Sequence, residues 1–287
     1  MTTVVHPLAA AGGGQLLPVT PALGAACVLL LAAAALVAGR GGLGHGRAVL
    51  RAGLRAAVQL ALVALVIAWV VRSLWTSALF VLLMFAVAVR TAGRRIGEGR
   101  GRAGEGRGRA GEGRGRAGRW EWAWAAVPIA AGVLPVLLLL AATGLLPAKG
   151  ITVIPVAGIL IGGALTATSL SGRRALDELR LRHGEVEAAL ALGFEERDAR
   201  LEICRTAAAT SLVPALDQTR TVGLVTLPGA FVGMLLGGAT PVQAGAVQLF
   251  VLVALLAVEA VAVTAVLELV GRGLVGGGPV GTAAGIR

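Results

Sequence analysis

The sequence predicts an all-α integral membrane protein of about seven transmembrane helices, a single domain over residues 1–287 with one short helix outside the bilayer between spans five and six. Three observations predict it. With 56% hydrophobic and 14% charged residues and a mean hydropathy of +0.84, the chain carries more apolar surface than a soluble core of its size can enclose. The apolar residues fall in runs of about 20, enough to cross a hydrocarbon layer about 30 Å thick. The basic residues collect in alternate connecting segments.

Taken in order, the apolar runs place spans at 22–39, 56–73, 75–91, 122–145, 151–171, 220–238 and 244–269. No Lys or Arg precedes Arg40, so the first run lacks the basic flank of a cleavable signal and reads as a retained span. A tight turn at Arg72 to Thr76 joins the second and third runs, which also allows a re-entrant pair; Pro228 and Gly229 interrupt the sixth. Alternating the loops puts all of the 26 basic residues except Arg72 and Lys149 on one side. The positive-inside rule makes that side the cytoplasm, with loops at 40–55, 92–120 and 172–219. The N-terminus is then outside and the C-terminus inside, in a multi-pass protein of the cell membrane. Trp69 and Trp75 near one face, with Trp120, Trp122 and Trp124 near the other, fit interfacial aromatic belts.

The net charge of +11 follows these loops, so nucleic acid is not an expected partner; the lipid bilayer is. Residues 97–117 are three copies of Gly-Glu-Gly-Arg-Gly-Arg-Ala. With no large apolar side chain and glycine at nearly every second position, 97–118 is expected to be a disordered cytoplasmic insert. An Arg-Gly tether for RNA or anionic lipid is the alternative, but the repeat offers no aromatic ring for bases to stack on. Cys27 and Cys204 are far apart in sequence and define neither a disulfide framework nor a metal knuckle.

Residues 172–211 form a charged cytoplasmic segment rich in helix formers. Gly184 and Gly193 bracket a helix of about two turns, Gly193 being placed to cap its C-terminus. Inside it Glu187, Ala188 and Ala189 precede Gly193 by six, five and four positions. Small residues ending in a glycine let a backbone enter a partner's groove closely, and Glu185 and Glu187 supply polar contacts at the rim. This stretch resembles the cytoplasmic Glu-Ala-Ala loop of ATP-binding-cassette (ABC) transporter permeases. The family's Ile ten residues after the glycine is matched by Ile203, whereas Arg205 and Thr206 stand where its Leu-Pro belongs.

A second resemblance covers more of the chain. The run from Leu212 through Asp217-Gln-Thr-Arg-Thr-Val-Gly-Leu-Val-Thr-Leu-Pro-Gly to Pro241 is similar to the signature of the FetB family of ABC permeases. Leu54-Arg-Ala-Ala-Val-Gln-Leu60 and Thr166-Ala-Thr-Ser-Leu170 also look like members of it, with Asp217 in place of the family's Asn. The resemblance implies a homodimeric permease that exports a metal ion such as iron and is driven by a separate ATP-binding subunit docked at Glu185, Glu187, Ala188, Ala189 and Gly193. The chain has no Gly-x-x-x-x-Gly-Lys-Ser/Thr loop, so ATP would be bound by that partner. On this reading the chain has no cofactor or catalytic residue of its own.

Polar residues near hydrocarbon are costly and mark candidate pathway or gating positions: Gln59, Thr168, Asp217, Gln218, Arg220 and Glu259. Asp217 and Arg220, three apart, suit either a local ion pair at the start of the sixth span or a gate. Glu259, in mid-span, suits either a satisfied packing residue or a proton site. No His, Cys, Asp or Glu cluster has metal-ligand spacing. Two other classes remain open: a proton-coupled secondary transporter with Glu259 as carrier, and a membrane scaffold tethering partners through the Arg-Gly loop.

Overall fold

The computed structural model describes residues 20–42, 44–71, 73–104, 123–145 and 150–275. Among them every regular element is helical, apart from one isolated bridge between Val222 and Thr226. The chain divides into a unit ending at Trp69 and a larger one beginning at Val70.

The first unit holds α1 (Pro21–Arg40) and nearly all of α2 (Gly46–Val70). Thr20 starts α1, its hydroxyl accepting from the Leu23 amide at 3.4 Å, and Pro21 occupies the first helical position, where no amide hydrogen is needed. A side chain at Gly53 would meet Leu31, and one at Gly46 would meet Ala35 and Gly39, an order that makes the pair antiparallel. The helix α2 begins ten residues before its apolar run and carries Arg47, Arg51 and Arg55 in its first turns.

In the second unit α3 (Leu74–Gly104), α4 (Ala126–Ala142), α5 (Gly150–Leu181) and α10 (Pro241–Gly271) form the bundle. Their directions follow from close approaches. Gly150, Gly158 and Gly172 of α5 face Ser77, Met84 and Ile96 of α3 in turn, so those helices are parallel. Gly163 faces Leu255 and Glu259, and Gly172 also faces Val266, so α10 runs the same way. The helix α4 is antiparallel to α10: Pro128 shares a small cavity wall with Val266 and Leu269, while Gly132 lies against Val258. Alternating direction is what short connections between spans produce. Val89, Ala92, Ile129, Val133, Ala157, Leu160, Ala164, Ala254 and Val258 form the core, where small residues bring backbones close without a water-driven hydrophobic term.

Between α5 and α10 lie α6 (His183–Ala191), α7 (Glu196–Ala209), a 3₁₀ turn (Thr210–Leu212), α8 (Val213–Thr221) and α9 (Gly229–Leu236). This limb runs back along α10. Arg197 pairs with Glu268, Leu201 sits against Gly271, Leu212 packs with Ala262 and Val263, and Phe231 approaches Gly245. Pro214 lacks the amide that would bond to Thr210, which accounts for the tightened turn there. Thr221 ends α8, Gly223 takes a left-handed φ of +83°, and Pro228 stands at the N-cap of α9.

Among the described residues five helices are long and apolar enough to cross a membrane, and α4, at 17 residues, is a shorter apolar one. The count of seven therefore reduces to five or six apolar helices, because 220–238 is not one helix but the end of α8, an irregular loop and the eight-residue α9. The interruption expected at Pro228 and Gly229 is there, Pro228 standing at the N-cap of α9, but the apolar average of that window concealed the earlier break at Gly223. The expected spans 75–91 and 151–171 are the apolar parts of longer helices: α3 reaches Gly104, taking in the first seven-residue repeat, and α5 reaches Leu181. The later repeats, Arg72, Lys149, Trp120 and Trp122 lie outside the described residues.

Candidate functional site

The helix α6 is anchored through one face. Val186 is buried against Ala199 and Ile203 of α7, with Leu179, Ala189 and Leu190 packed around them. Its first turn is tied to the end of α5 by Arg182, whose guanidinium bonds both carboxylate oxygens of Glu185, one at 2.6 Å, and reaches Glu178 at 3.5 Å. That hydrogen bonding raises the Arg182 pKa and lowers that of Glu185. At the other end Gly193, at φ +91°, donates to the Leu190 carbonyl while Phe194 donates to that of Ala189, a Schellman cap as its glycine foretold.

The outward face carries Glu185, Glu187, Ala188 and Ala191, all exposed, whereas Ala189 turns toward α7. The two alanines of the motif therefore do different jobs: Ala189 packs inward and Ala188 is presented. Sequence reasoning missed three neighbours, Leu181, Leu192 and Phe194, which are 82%, 81% and 52% exposed. The signal was available, since large apolar side chains in a charged segment suggest a contact surface.

An ion-pair network joins α7 to the end of α10. Arg197 donates from Nε and an η nitrogen to the two oxygens of Glu268 at 3.1 and 2.7 Å, and Arg272 donates to the same carboxylate at 2.6 Å. Arg197 also reaches Asp198 at 2.8 Å, and these acceptors raise its pKa. Beside it Arg200, only 5% exposed, holds Glu196 at 2.5 Å and leaves its Nε without a partner. The Arg197–Glu268 pair spans 71 residues of sequence, and nothing in local spacing signals it, whereas Arg200–Glu196 and Arg272–Glu268 are ordinary pairs four apart on one helix.

The five polar candidates of the second unit do not converge. Gln59 is exposed on α2, in the first unit. Thr168 is fully buried, with its hydroxyl unpartnered at a small cavity lined by Trp124, Pro128 and Leu269 among others. Asp217 and Arg220 pair at 3.6 Å with both side chains mostly exposed, and Gln218 is exposed beside them. Glu259 is half-buried at the seam of α5 and α10, where Gly163 makes room for it. Among the described residues no group of three or more His, Cys, Asp or Glu side chains is placed to hold a metal ion.

Helices of this length and apolarity, with the bundle between them built from small residues, define a multi-pass membrane protein. More particularly, the chain belongs to the uncharacterised protein family UPF0014, whose family model matches residues 21–275. It is 39% identical over 128 residues to the protein ALUMINUM SENSITIVE 3 of Arabidopsis thaliana, a match covering 45% of this chain and 47% of that one. It is 29% identical over 198 residues to the membrane protein YjkA of Bacillus subtilis, covering 69% and 72%. A third relative, the probable iron export permease protein FetB of Escherichia coli, is 33% identical over 131 residues, covering 44% and 48%. The match spans a little under half of the Arabidopsis relative. No solved structure matches the chain.

Proposed function

We propose that this chain is the membrane-spanning permease subunit of an ABC transporter, working as a homodimer with a separate ATP-binding subunit docked on α6 from the cytoplasm. The observation that carries the proposal is the presentation of α6. A short, capped helix beyond the bundle turns Glu185, Glu187 and Ala188 outward and is edged by exposed Leu181, Leu192 and Phe194. Exposed apolar side chains of that size in an aqueous segment call for a partner. Movement of α6 on ATP-driven closure would pass to α7 through Val186, Ala199 and Ile203, and from α7 to α10 through Arg197 and Glu268.

On this reading the limb from Leu212 to Leu236 supplies the sixth of seven crossings in pieces, which keeps the N-terminus outside and the C-terminus in the cytoplasm. The cargo is a metal ion such as iron, moved outward; the name of the Escherichia coli relative supports this. The test is co-purification with a candidate ATPase and transport in proteoliposomes. Ala188→Trp should abolish both while leaving the permease in the membrane, and unchanged ATPase binding would refute docking at α6.

One observation favours a second reading, a proton-coupled carrier: Glu259 places a carboxyl group in the middle of the apolar α10. Transport that needs a proton gradient, continues without the ATPase and is lost in Glu259→Gln would support it instead.

A further inference from the structure

Resting on the reading of the chain as a homodimeric permease, we infer that the second copy seats on the broken limb, over the face that runs from Asp217 through the irregular loop at 222–228 to Gly233. The depth of this face follows from its neighbours. Leu212 packs at the level of Ala262 and Val263, and Phe231 at the level of Gly245, so 217–228 lie between them. Those levels fall inside the 31-residue apolar helix α10, whose length of roughly 46 Å exceeds the hydrocarbon thickness of about 30 Å by a margin at both ends. The loop is therefore at membrane depth.

Lipid cannot cover such a surface. In the loop Gly223 donates to the Thr226 carbonyl at 2.9 Å, and the amides of Leu224, Val225 and Thr226 all turn to the Thr221 carbonyl. Among the described residues the carbonyls of Val222, Gly223, Leu224, Val225 and Leu227 accept no backbone hydrogen bond. The segment also projects, with Leu224 91% and Val225 79% exposed. Irregular backbone persists at this depth only where protein or a protein-lined aqueous space covers it. The neighbouring Asp217 and Arg220 side chains, 59% and 74% exposed, are under the same constraint.

Charge complementarity selects the occupant. One small face carries an acid and a base a single helical turn apart, so a two-fold axis beside it places the Arg220 of each copy toward the Asp217 of the other. A foreign partner would need the inverse pattern, whereas a second copy has it by symmetry. Gly229 and Gly233 leave open space where a side chain would stand, which lets another backbone approach α9.

The test uses two versions of the full chain, differently tagged and expressed together in membranes without any ATPase. Asp217→Arg makes the face doubly basic and Arg220→Asp makes it doubly acidic. Each variant alone should self-associate at least about tenfold less than the unaltered chain, and the mixed pair should recover association. A second measurement does not depend on these charges. In a Cys27→Ser background, where the remaining Cys204 is buried, Leu224→Cys should form a disulfide-linked dimer under mild oxidation, and Leu138→Cys on α4 should not. Equal association of all charge combinations, or a Leu224→Cys thiol that a water-soluble maleimide labels without dimer formation, would overturn the inference. Neither readout involves the ATPase, so failure here leaves docking at α6 standing, and failure of Ala188→Trp to disrupt docking leaves this interface standing.

Discussion

At the scale of single residues, glycine decides how closely the bundle packs, and not every glycine is equally costly to replace. A Cβ on Gly132 would lie 2.6 Å from the backbone carbonyl oxygen of Val258, which cannot swing away. One on Gly158 would meet only the terminal methyl of Met84 at 3.0 Å, and that side chain can rotate. Gly132→Ala should therefore destabilise the detergent-solubilised protein by about 1–3 kcal/mol, the usual range for overpacking, and Gly158→Ala by less than about 1 kcal/mol, compared by thermal unfolding. A charge argument applies at Glu185. Arg182 holds its folded-state pKa below the ordinary carboxylate value, so its contribution to α6 is present above that ordinary value and is lost as pH falls through the lowered one. Amide exchange in α6 should thus accelerate on acidification below the carboxylate range, and Glu185→Gln should remove that acid dependence. Residues of this kind were only partly legible in the sequence. Gly193 could be read as a cap because its φ requirement is local. That Ala188 faces out and Ala189 in depends on where α7 lies, which no spacing within 185–193 encodes.

The elements show a similar division. The helices α1, α3, α5 and α10 were legible because an apolar run is a direct record of what the bilayer demands, although it gives the membrane part and not the whole helix. The return limb was not. Its first half is polar because α7 packs outside the apolar zone, and its second half is interrupted at 222–228, so a hydropathy window centred on 220–238 mixed two different things. The join between α7 and α10 was equally hidden, since Arg197 and Glu268 meet only once the limb has turned back. If that pair transmits motion, reversing Arg197 alone to Glu should uncouple ATP hydrolysis from transport and speed exchange in α7. Arg197→Glu with Glu268→Arg should restore coupling; a double variant as defective as the single one would assign the pair a purely local role.

For the whole molecule, the arrangement that matters is that α3, α5 and α10 run one way while α4 and the return limb run the other. Composition and loop charge foretold alternation, but not which helices touch. The first copy of the seven-residue repeat extends α3 beyond Ile96, which packs within the bundle, and the later copies lie outside the described residues. Deleting residues 104–117 should leave membrane level and localisation unchanged, as followed by a fluorescent fusion, and loss of insertion would show the loop to be an orientation signal. Finally, α5 is a rod of 32 residues, roughly 48 Å long, with Pro155 near its N-terminal end and α6 attached at its C-terminal end. Proline removes one backbone hydrogen bond, and that turn is where such a rod bends most readily. A sideways push at Leu181 would then swing α5 about Pro155, displacing Thr166 by roughly two-fifths of the stroke at constant rise per residue. The N-terminal end would hardly move, so a stroke applied at the C-terminal end would open or close the bundle chiefly from the side on which it is applied.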